Sequence, residues 1–264
     1  MCCSGVISPD VATAKVDATI QARIGSSRLP GKVLMPIMGR PLIEFQIERI
    51  RRSELIDRVV IATTTSQQDD AIANLATKLG CECFRGSEID VVGRVLGALR
   101  EFDIEINAEF QGDNSIPDPN VIDRVIGYYL ENLADYDYVT NALTTTYPPG
   151  LEVSVYSRAI LADAESRVVD QALREHVGIH IYKRDDLYRI KNLEAPPELA
   201  RPNLHLEVDT QQDFELVSAI YEHFMPTNPD FLLADVLAFI DANPNLAALN
   251  SGVERRWKKF RNEA

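Results

Sequence analysis

Short apolar runs and helical periodicities alternate along this chain. Runs rich in valine and isoleucine predict buried strands, whereas apolar residues spaced three or four positions apart predict helices. The predicted strands are Val16–Ala22, Arg58–Thr64, Glu82–Phe84, Glu105–Gln111, Tyr136–Ala142, Leu151–Tyr156 and Leu204–Val208. The predicted helices are Gly39–Ser53, Gln68–Leu79, Asp90–Phe102, a segment beginning at Asp118, Ser157–Ala164, Asp170–His176, Thr210–Phe224 and Asp230–Asn243.

This alternation predicts one α/β domain, residues 15–245, with a mostly parallel sheet and helices on both of its faces. Ligands of such folds bind at the carboxyl ends of the strands. Residues 1–14 are expected to form a flexible leader. Residues 246–264 are expected to form a basic tail, which we interpret as a solvated end, with a contact to another subunit as the alternative.

Composition and charge limit the classes of partner. The chain has 264 residues, 45 % of them hydrophobic, and a formal net charge of −13. This charge argues against nucleic acid or an anionic membrane as partner, because both are negatively charged. The sequence shows no signal-peptide pattern and no apolar run of membrane-spanning length, and its four cysteines lack zinc-site spacing. We therefore expect a cytoplasmic protein.

The loop after the first predicted strand gathers unusual chemistry for such an acidic chain. Gly25 is followed by Ser26 and Ser27, which offer backbone amides and hydroxyls to a phosphate. Three cations lie within ten positions of one another, at Arg23, Arg28 and Lys32. The loop therefore predicts a polyphosphate site, with an ordinary basic surface turn as the alternative.

The loop is not a Walker A motif. That motif has four residues between its glycines and Ser or Thr after its lysine. Here five residues separate Gly25 from Gly31, and Val33 follows Lys32. Pro30 also removes a backbone donor that a Walker cradle would use.

The string A-R-x-G-S-S-R-L-P-G-K, from Ala22 to Lys32, resembles the signature of cytidylyltransferase-type nucleotide-sugar pyrophosphorylases, which activate sugar acids. The similarity is closer to SpsF-like proteins of spore-coat polysaccharide synthesis. It implies a three-layer Rossmann-like fold of the nucleotide-diphospho-sugar transferase type. The segments that carry it are Pro30–Ser53, Val59–Asp70, Phe84–Ser87, Gln111–Asp113, Tyr147–Tyr156, Arg174–Tyr182 and Val208–Val217.

Two acids follow predicted strands, Asp113 in Phe-Gln-Gly-Asp and Asp209 in Leu-Glu-Val-Asp. Two carboxylates completed by phosphate and water suit Mg²⁺, although either acid alone reads as a helix N-cap. The resemblance implies that both bind the metal. It further implies catalytic roles for Arg23, Arg28 and Lys32 and a nucleotide site formed by Gln21, Ala22, Gly25, Ser26, Ser27, Thr63 and Gln111. The acceptor site that it implies contains Tyr147, Glu152, Arg174 and His176.

The sequence favours a nucleotidyltransferase that uses CTP, or another NTP, and a sugar-acid acceptor and releases pyrophosphate. Similar enzymes are commonly homodimers. The alternative is a non-catalytic nucleotide-sugar-binding subunit of a polysaccharide pathway. A glycosyltransferase is disfavoured because Gly112-Asp113-Asn114 supplies no D-x-D motif. SpsF-like sequences usually read Gly-Asp-Cys-Pro at this point, whereas this chain reads Gly-Asp-Asn-Ser, which leaves the acceptor open.

Overall fold

The computed structural model describes residues 14–168 and 170–255. The predicted leader, apart from Ala14, and residues 256–264 of the predicted tail lie outside the described residues. Within residues 14–168 and 170–255, no helix is both long enough and apolar enough to cross a bilayer.

The strands are β1 Val16–Gln21, β2 Pro36–Ile37, β3 Arg40–Pro41, β4 Arg58–Thr64, β5 Glu82–Gly86, β6 Ile106–Gln111, β7 Tyr138–Thr140, β8 Ser154–Ser157 and β9 Ile190–Asn192. Seven of them form a sheet at the centre of the molecule, in the order β5-β4-β1-β6-β8-β7-β9. Within the described ranges, all neighbouring strands of this sheet pair in parallel except where β8 pairs with β6 and β7. A separate two-stranded hairpin joins β2 to β3.

Several helices begin where the sequence supplies an N-cap or proline. Asp118 accepts hydrogen bonds from the amides of Asn120 and Val121 at the start of α4. Thr210 and Asp213 form the capping box of α7. The helices are α1 Leu42–Ile50, α2 Asp70–Lys78, α3 Val91–Glu101, α4 Pro119–Glu131, α5 Arg158–Ser166, α6 Ile179–Tyr182, α7 Gln211–Phe224, α8 Leu233–Ala242 and α9 Pro244–Ala248.

The predicted covering of both sheet faces is confirmed. Successive residues of a strand point to opposite faces. Accordingly, Val59 and Ile61 of β4 pack in a core with residues of α1, α2 and α4. Val60 and Ala62 pack instead with residues of α3, α5 and α6. A third apolar cluster joins α7 and α8 to the segments around Tyr147 and Leu206.

The prediction that Leu204–Val208 forms a strand is wrong. The segment is buried, but its amides make no strand ladder. The amides of Leu206 and Glu207 both donate to the carbonyl of Pro149, and that of Val208 donates to the carbonyl of Asp113. The segment therefore crosses beneath a turn instead of pairing with a strand.

Two further predictions need correction. The predicted helix Asp170–His176 is a 3₁₀ turn at Gln171–Glu175. Helix α1 begins later than predicted, because Arg40–Pro41 pairs with Pro36–Ile37 as a hairpin. The sequence analysis also missed β9, whose three residues are too few to show a periodicity.

Candidate active site

The loop between β1 and the 3₁₀ turn Lys32–Leu34 is held by its own hydrogen bonds. The amides of Ser26 and Gly31 donate to the carbonyl of Ile24 at 2.7 and 2.9 Å. Gly31 has φ of 73°, which favours glycine. The amide of Ser26, one of those expected to face a phosphate, is thus used inside the loop.

Asp69 fixes this loop to the neighbouring strand. Its carboxylate is fully buried and accepts hydrogen bonds from the amide of Ile24, at 2.7 Å, and from the hydroxyl of Thr64. Asp69 precedes α2, but its side chain makes no cap hydrogen bond there. It therefore braces the loop and does not cap the helix.

The two predicted metal acids meet around Lys32. Its Nζ lies 3.5 Å from Oδ2 of Asp113 and 2.9 Å from Oδ1 of Asp209, and it donates to the carbonyl of Val208 at 2.6 Å. Arg28 pairs with the other oxygen of Asp209. Two acids that are 96 positions apart in sequence (209 − 113 = 96) thus converge on two cations of the first loop.

The electrostatics of this cluster keep Lys32 charged. Burial alone would lower the pKa of Lys32, but the carboxylates of Asp113 and Asp209 outweigh it and raise the pKa above its ordinary value. Burial raises the pKa of Asp113 against the opposing charge of Lys32, and the negative charges of Asp209 and Glu207 add to that rise.

This donor set fits Mg²⁺. Carboxylates are hard oxygen ligands, and both already face one shared cation, the Lys32 ammonium. The described ranges contain no group of three or more His, Cys, Asp or Glu side chains arranged around a metal position. A metal held by Asp113 and Asp209 would therefore need further oxygen ligands from phosphate and water.

The predicted nucleotide residues lie at the adjoining strand ends. Gln21 donates from Nε2 to Glu109 at 2.5 Å, and the carbonyl of Gln111 accepts from Gln46 at 2.7 Å. The hydroxyl of Thr63 is buried without a hydrogen-bond partner among the described residues. The remaining predicted members are the buried Ala22 and, on the loop, Gly25, Ser26 and Ser27.

Arg23 pairs with acids other than those of the Lys32 cluster. Its guanidinium is 3.2 Å from Glu88 and 3.5 Å from Glu175, and the side chain is 34 % exposed. Arg94, which the sequence analysis missed, is buried close by and donates to the carbonyl of Ser87 at 2.6 Å. Its Nε has no partner within the described residues, and burial together with the charge of Arg23 lowers its pKa to about 10.

The predicted acceptor residues divide into two groups. Tyr147 and Glu152 line one pocket, together with Asn141, Ala142, Thr145, Pro148 and Leu151. Arg174 is instead held by the carboxylates of Asp90, at 2.9 Å, and Glu165. His176 follows Arg174 on the same segment, and neither residue lines that pocket.

Asn114, where the chain departs from the usual SpsF-like motif, has a structural contact. Its Nδ2 donates to the carbonyl of Glu152 at 2.8 Å, and the hydroxyl of Ser115 donates to the carbonyl of Asp113 at 3.0 Å. The asparagine therefore joins the segment after Asp113 to the backbone at Glu152.

Comparison with known proteins identifies the family. The sequence model of the family described as Cytidylyltransferase matches residues 18–246. The chain belongs to the cytidylyltransferase family. The resemblance inferred from the first loop is thereby confirmed.

Named cytidylyltransferases and their relatives cover most of the chain. The spore coat polysaccharide biosynthesis protein SpsF of Bacillus subtilis is 32 % identical, over 86 % of this chain and 95 % of SpsF. The 3-deoxy-manno-octulosonate cytidylyltransferase of Synechococcus elongatus is 28 % identical, over 69 % of this chain and 80 % of that enzyme. The solved structure of a cytidylyltransferase from Leptospira borgpetersenii has a TM-score of 0.84 and 28 % identity, and the match covers 92 % of this chain and all of that one.

Proposed function

We propose that this protein transfers a CMP group from CTP to a sugar acid or similar acceptor, with release of pyrophosphate, in the synthesis of a surface polysaccharide or glycoconjugate. The convergence of Arg28 and Lys32 with Asp113 and Asp209 carries this proposal. Membership of the cytidylyltransferase family supports CTP as the nucleotide. The similarity to the spore coat polysaccharide biosynthesis protein SpsF and to 3-deoxy-manno-octulosonate cytidylyltransferase supports the acceptor class and the pathway.

The residues of the cluster have separate tasks in this reaction. Arg28 and Lys32 would neutralise the triphosphate, and Asp113 and Asp209 would hold Mg²⁺. The bound metal would supply further positive charge to the phosphate oxygens. An acceptor hydroxyl oxygen forms a bond to the α-phosphorus, the α–β bridging bond breaks, its electron pair leaves with pyrophosphate, and the hydroxyl proton passes to solvent.

The acceptor would lie beside Asp113. The backbone at Glu152 is tied to the segment after Asp113 through Asn114, so an acceptor that contacts Glu152 would be close to Asp113. Holding the hydroxyl and the α-phosphate next to one another supplies much of the rate by proximity. A homodimer and a cytoplasmic location remain predictions from the sequence.

The second candidate is a non-catalytic nucleotide-sugar-binding subunit. Such a protein would have no requirement for the complete cluster of Lys32, Asp113 and Asp209. All three side chains are present and in mutual contact, which favours the enzyme.

The test is pyrophosphate release from CTP and Mg²⁺ with a panel of sugar acids that includes 3-deoxy-manno-octulosonate. We expect Lys32→Met to lower turnover by about 10²- to 10³-fold, because a charge that stabilises the developing negative charge is lost. The control is Lys78→Met at the exposed end of α2, which should keep wild-type turnover.

Two results would count against the enzyme. One is a Lys32→Met variant that turns over like the control. The other is a wild-type protein that binds CTP with Mg²⁺ but releases no pyrophosphate with any acid of the panel, which would favour the non-catalytic subunit.

A further inference from the structure

The last described segment, residues 249–255, returns to the body of the molecule. Asn250 is buried and donates from Nδ2 to the carbonyl of His205, at 2.9 Å, and to Oδ1 of Asp213, at 2.7 Å. The Arg255 side chain is only 1 % exposed. Its guanidinium lies 2.8 Å from Oδ1 of Asp213 and 3.4 Å from Oε1 of Glu207.

Asp213 connects the C-terminal segment to Asp209, a predicted metal ligand. Its second oxygen, Oδ2, accepts hydrogen bonds from the backbone amides of Asp209, at 3.1 Å, and Thr210, at 2.8 Å. One fully buried carboxylate therefore contacts Arg255 on one side and the backbone of Asp209 on the other.

A second contact joins the same segment to the first loop. The carbonyl of Glu254, next to Arg255 in the chain, accepts a hydrogen bond from Nη1 of Arg28 at 3.2 Å. Nη2 of the same guanidinium pairs with Asp209. Arg28 is thus held between the metal acid and the C-terminal segment.

We propose that Arg255 is a positioning residue of the nucleotide site. It holds Asp213 and the Glu254 carbonyl, and through them it fixes both partners of the Arg28–Asp209 pair. Removal of Arg255 would leave two buried carboxylates, those of Glu207 and Asp213, without their shared cation. Residues 249–255 would then detach from the body of the molecule, because an uncompensated buried charge is strongly destabilising. The consequence for nucleotide binding rests on the proposed function, whereas the consequence for Arg28 does not.

The first experiment uses the protein without ligand. The Nε–H signal of Arg28 is observed by NMR in protein labelled with ¹⁵N-arginine and is assigned with an Arg28→Lys variant. We expect Arg255→Met to shift this signal and to speed the exchange of its proton with water at least tenfold. Arg255→Lys, which can reach one carboxylate but not span both, should give an intermediate effect and covers the case in which Arg255→Met does not fold.

The control is Arg184→Met, which removes an exposed guanidinium paired only locally with Asp186 in the described structure. A variant at Arg255 that folds and leaves the Arg28 signal as it is in this control would overturn the proposal. A loss of thermal stability without a change at Arg28 would mean that Arg255 is merely structural.

The second experiment measures CTP affinity calorimetrically, with Mg²⁺ and at a temperature where each variant is folded. We expect Arg255→Met to weaken binding by about 10- to 100-fold, the usual effect of losing a residue that orients metal ligands and their neighbours. In an Arg28→Met background the same change should weaken binding less, because the two residues act through one contact.

Equal effects in both backgrounds would contradict the coupling of Arg255 to Arg28. A wild-type protein that binds no CTP would refute the proposed function alone, since the NMR experiment still decides whether Arg255 positions Arg28.

Discussion

Glu109 is a buried acid on β6, the central strand of the sheet. Its side chain accepts hydrogen bonds from Tyr156 and from Gln21. Burial raises the pKa of Glu109 to about 7, although these two hydrogen bonds act in the opposite direction. The position of an acid inside a run such as Ile-Asn-Ala-Glu-Phe was visible in the sequence, but its partners on β1 and β8 were not.

This burial gives stability a distinct pH dependence. In the unfolded chain Glu109 loses its proton near its ordinary pKa of 4.5, while in the folded protein it keeps the proton up to about pH 7. The folded state therefore binds more protons between these values, so the contribution of Glu109 to stability falls as pH rises from 4.5 through 7. We expect the wild-type protein to lose about 3 kcal/mol relative to Glu109→Gln between pH 4 and pH 8.

Denaturant unfolding of both proteins across this pH range measures the difference. The amide can accept from Tyr156 and donate to a reoriented Gln21, so the variant is expected to fold. Glu131→Gln, at the exposed end of α4, is the control and should follow the wild type at every pH. A difference between wild type and Glu109→Gln that is constant with pH would show that Glu109 does not carry this dependence.

At the scale of elements, the turn at Gly150 sets the course of the segment from 204 to 208. Gly150 has φ of 108°, and a Cβ there would lie 2.4 Å from the backbone nitrogen of Glu207. The close approach lets the amides of Leu206 and Glu207 share the carbonyl of Pro149. This segment leads directly into Asp209, so the turn also helps to place that acid.

We expect Gly150→Ala to lower the free energy of unfolding by more than about 3 kcal/mol, through backbone overlap added to the cost of a positive φ. Gly80→Ala is the matched control, because Gly80 has φ of 62° with nothing within 4 Å of a built Cβ, and it should cost about 1–2 kcal/mol. Urea unfolding of the two variants separates the cost of the backbone overlap from the cost of the positive φ. Equal losses would show that the contact with Glu207 relaxes at little cost.

The elements that the sequence predicted well are those with several agreeing signals. Arg58–Thr64 has the observed bounds of β4, and the Thr-x-x-Asp pattern at 210 marks the start of α7. Leu204–Val208 misled because alternating apolar residues are typical of a strand, although here they are buried by a crossing segment. The meeting of Lys32 with Asp113 followed from the rule that the ends of parallel strands share one edge, since β1 and β6 are neighbours. Asp209 reaches the same place through a segment that is not a strand, so the rule does not account for it. The place of Arg255 could not follow, since its ion pairs depend on the tertiary path of a segment without a motif.

At the scale of the whole molecule, the proposed triphosphate site lies in a strongly negative chain and depends on two cations, Arg28 and Lys32, that are paired with acids in the structure. The net charge is −13, but charges beyond about 8 Å are largely screened at physiological ionic strength. Affinity for a nucleotide should therefore depend on the first loop and on how many phosphates reach it.

We expect CTP with Mg²⁺ at 100 times its Kd to stabilise the protein by about 2.7 kcal/mol, which corresponds to a rise in Tm of about 5–10 °C. CMP at the same concentration should give a much smaller rise, because it has no β- and γ-phosphates for Arg28 and Lys32 to neutralise. Differential scanning calorimetry measures both. Equal shifts from CMP and CTP would argue against a triphosphate site at the loop.

The reversed direction of β8 has a consequence for the stretch that carries two of the predicted acceptor residues. Thr140, the last residue of β7, pairs with Ser154, the first residue of β8, so the intervening stretch that holds Tyr147 and Glu152 leaves and re-enters the sheet at one point. A connection with adjacent ends can be lengthened or shortened at little entropic cost. Outside the turn at Pro149 and Gly150, which helps to place Asp209, this stretch can therefore change in length and sequence during evolution while the strands beneath it stay in register.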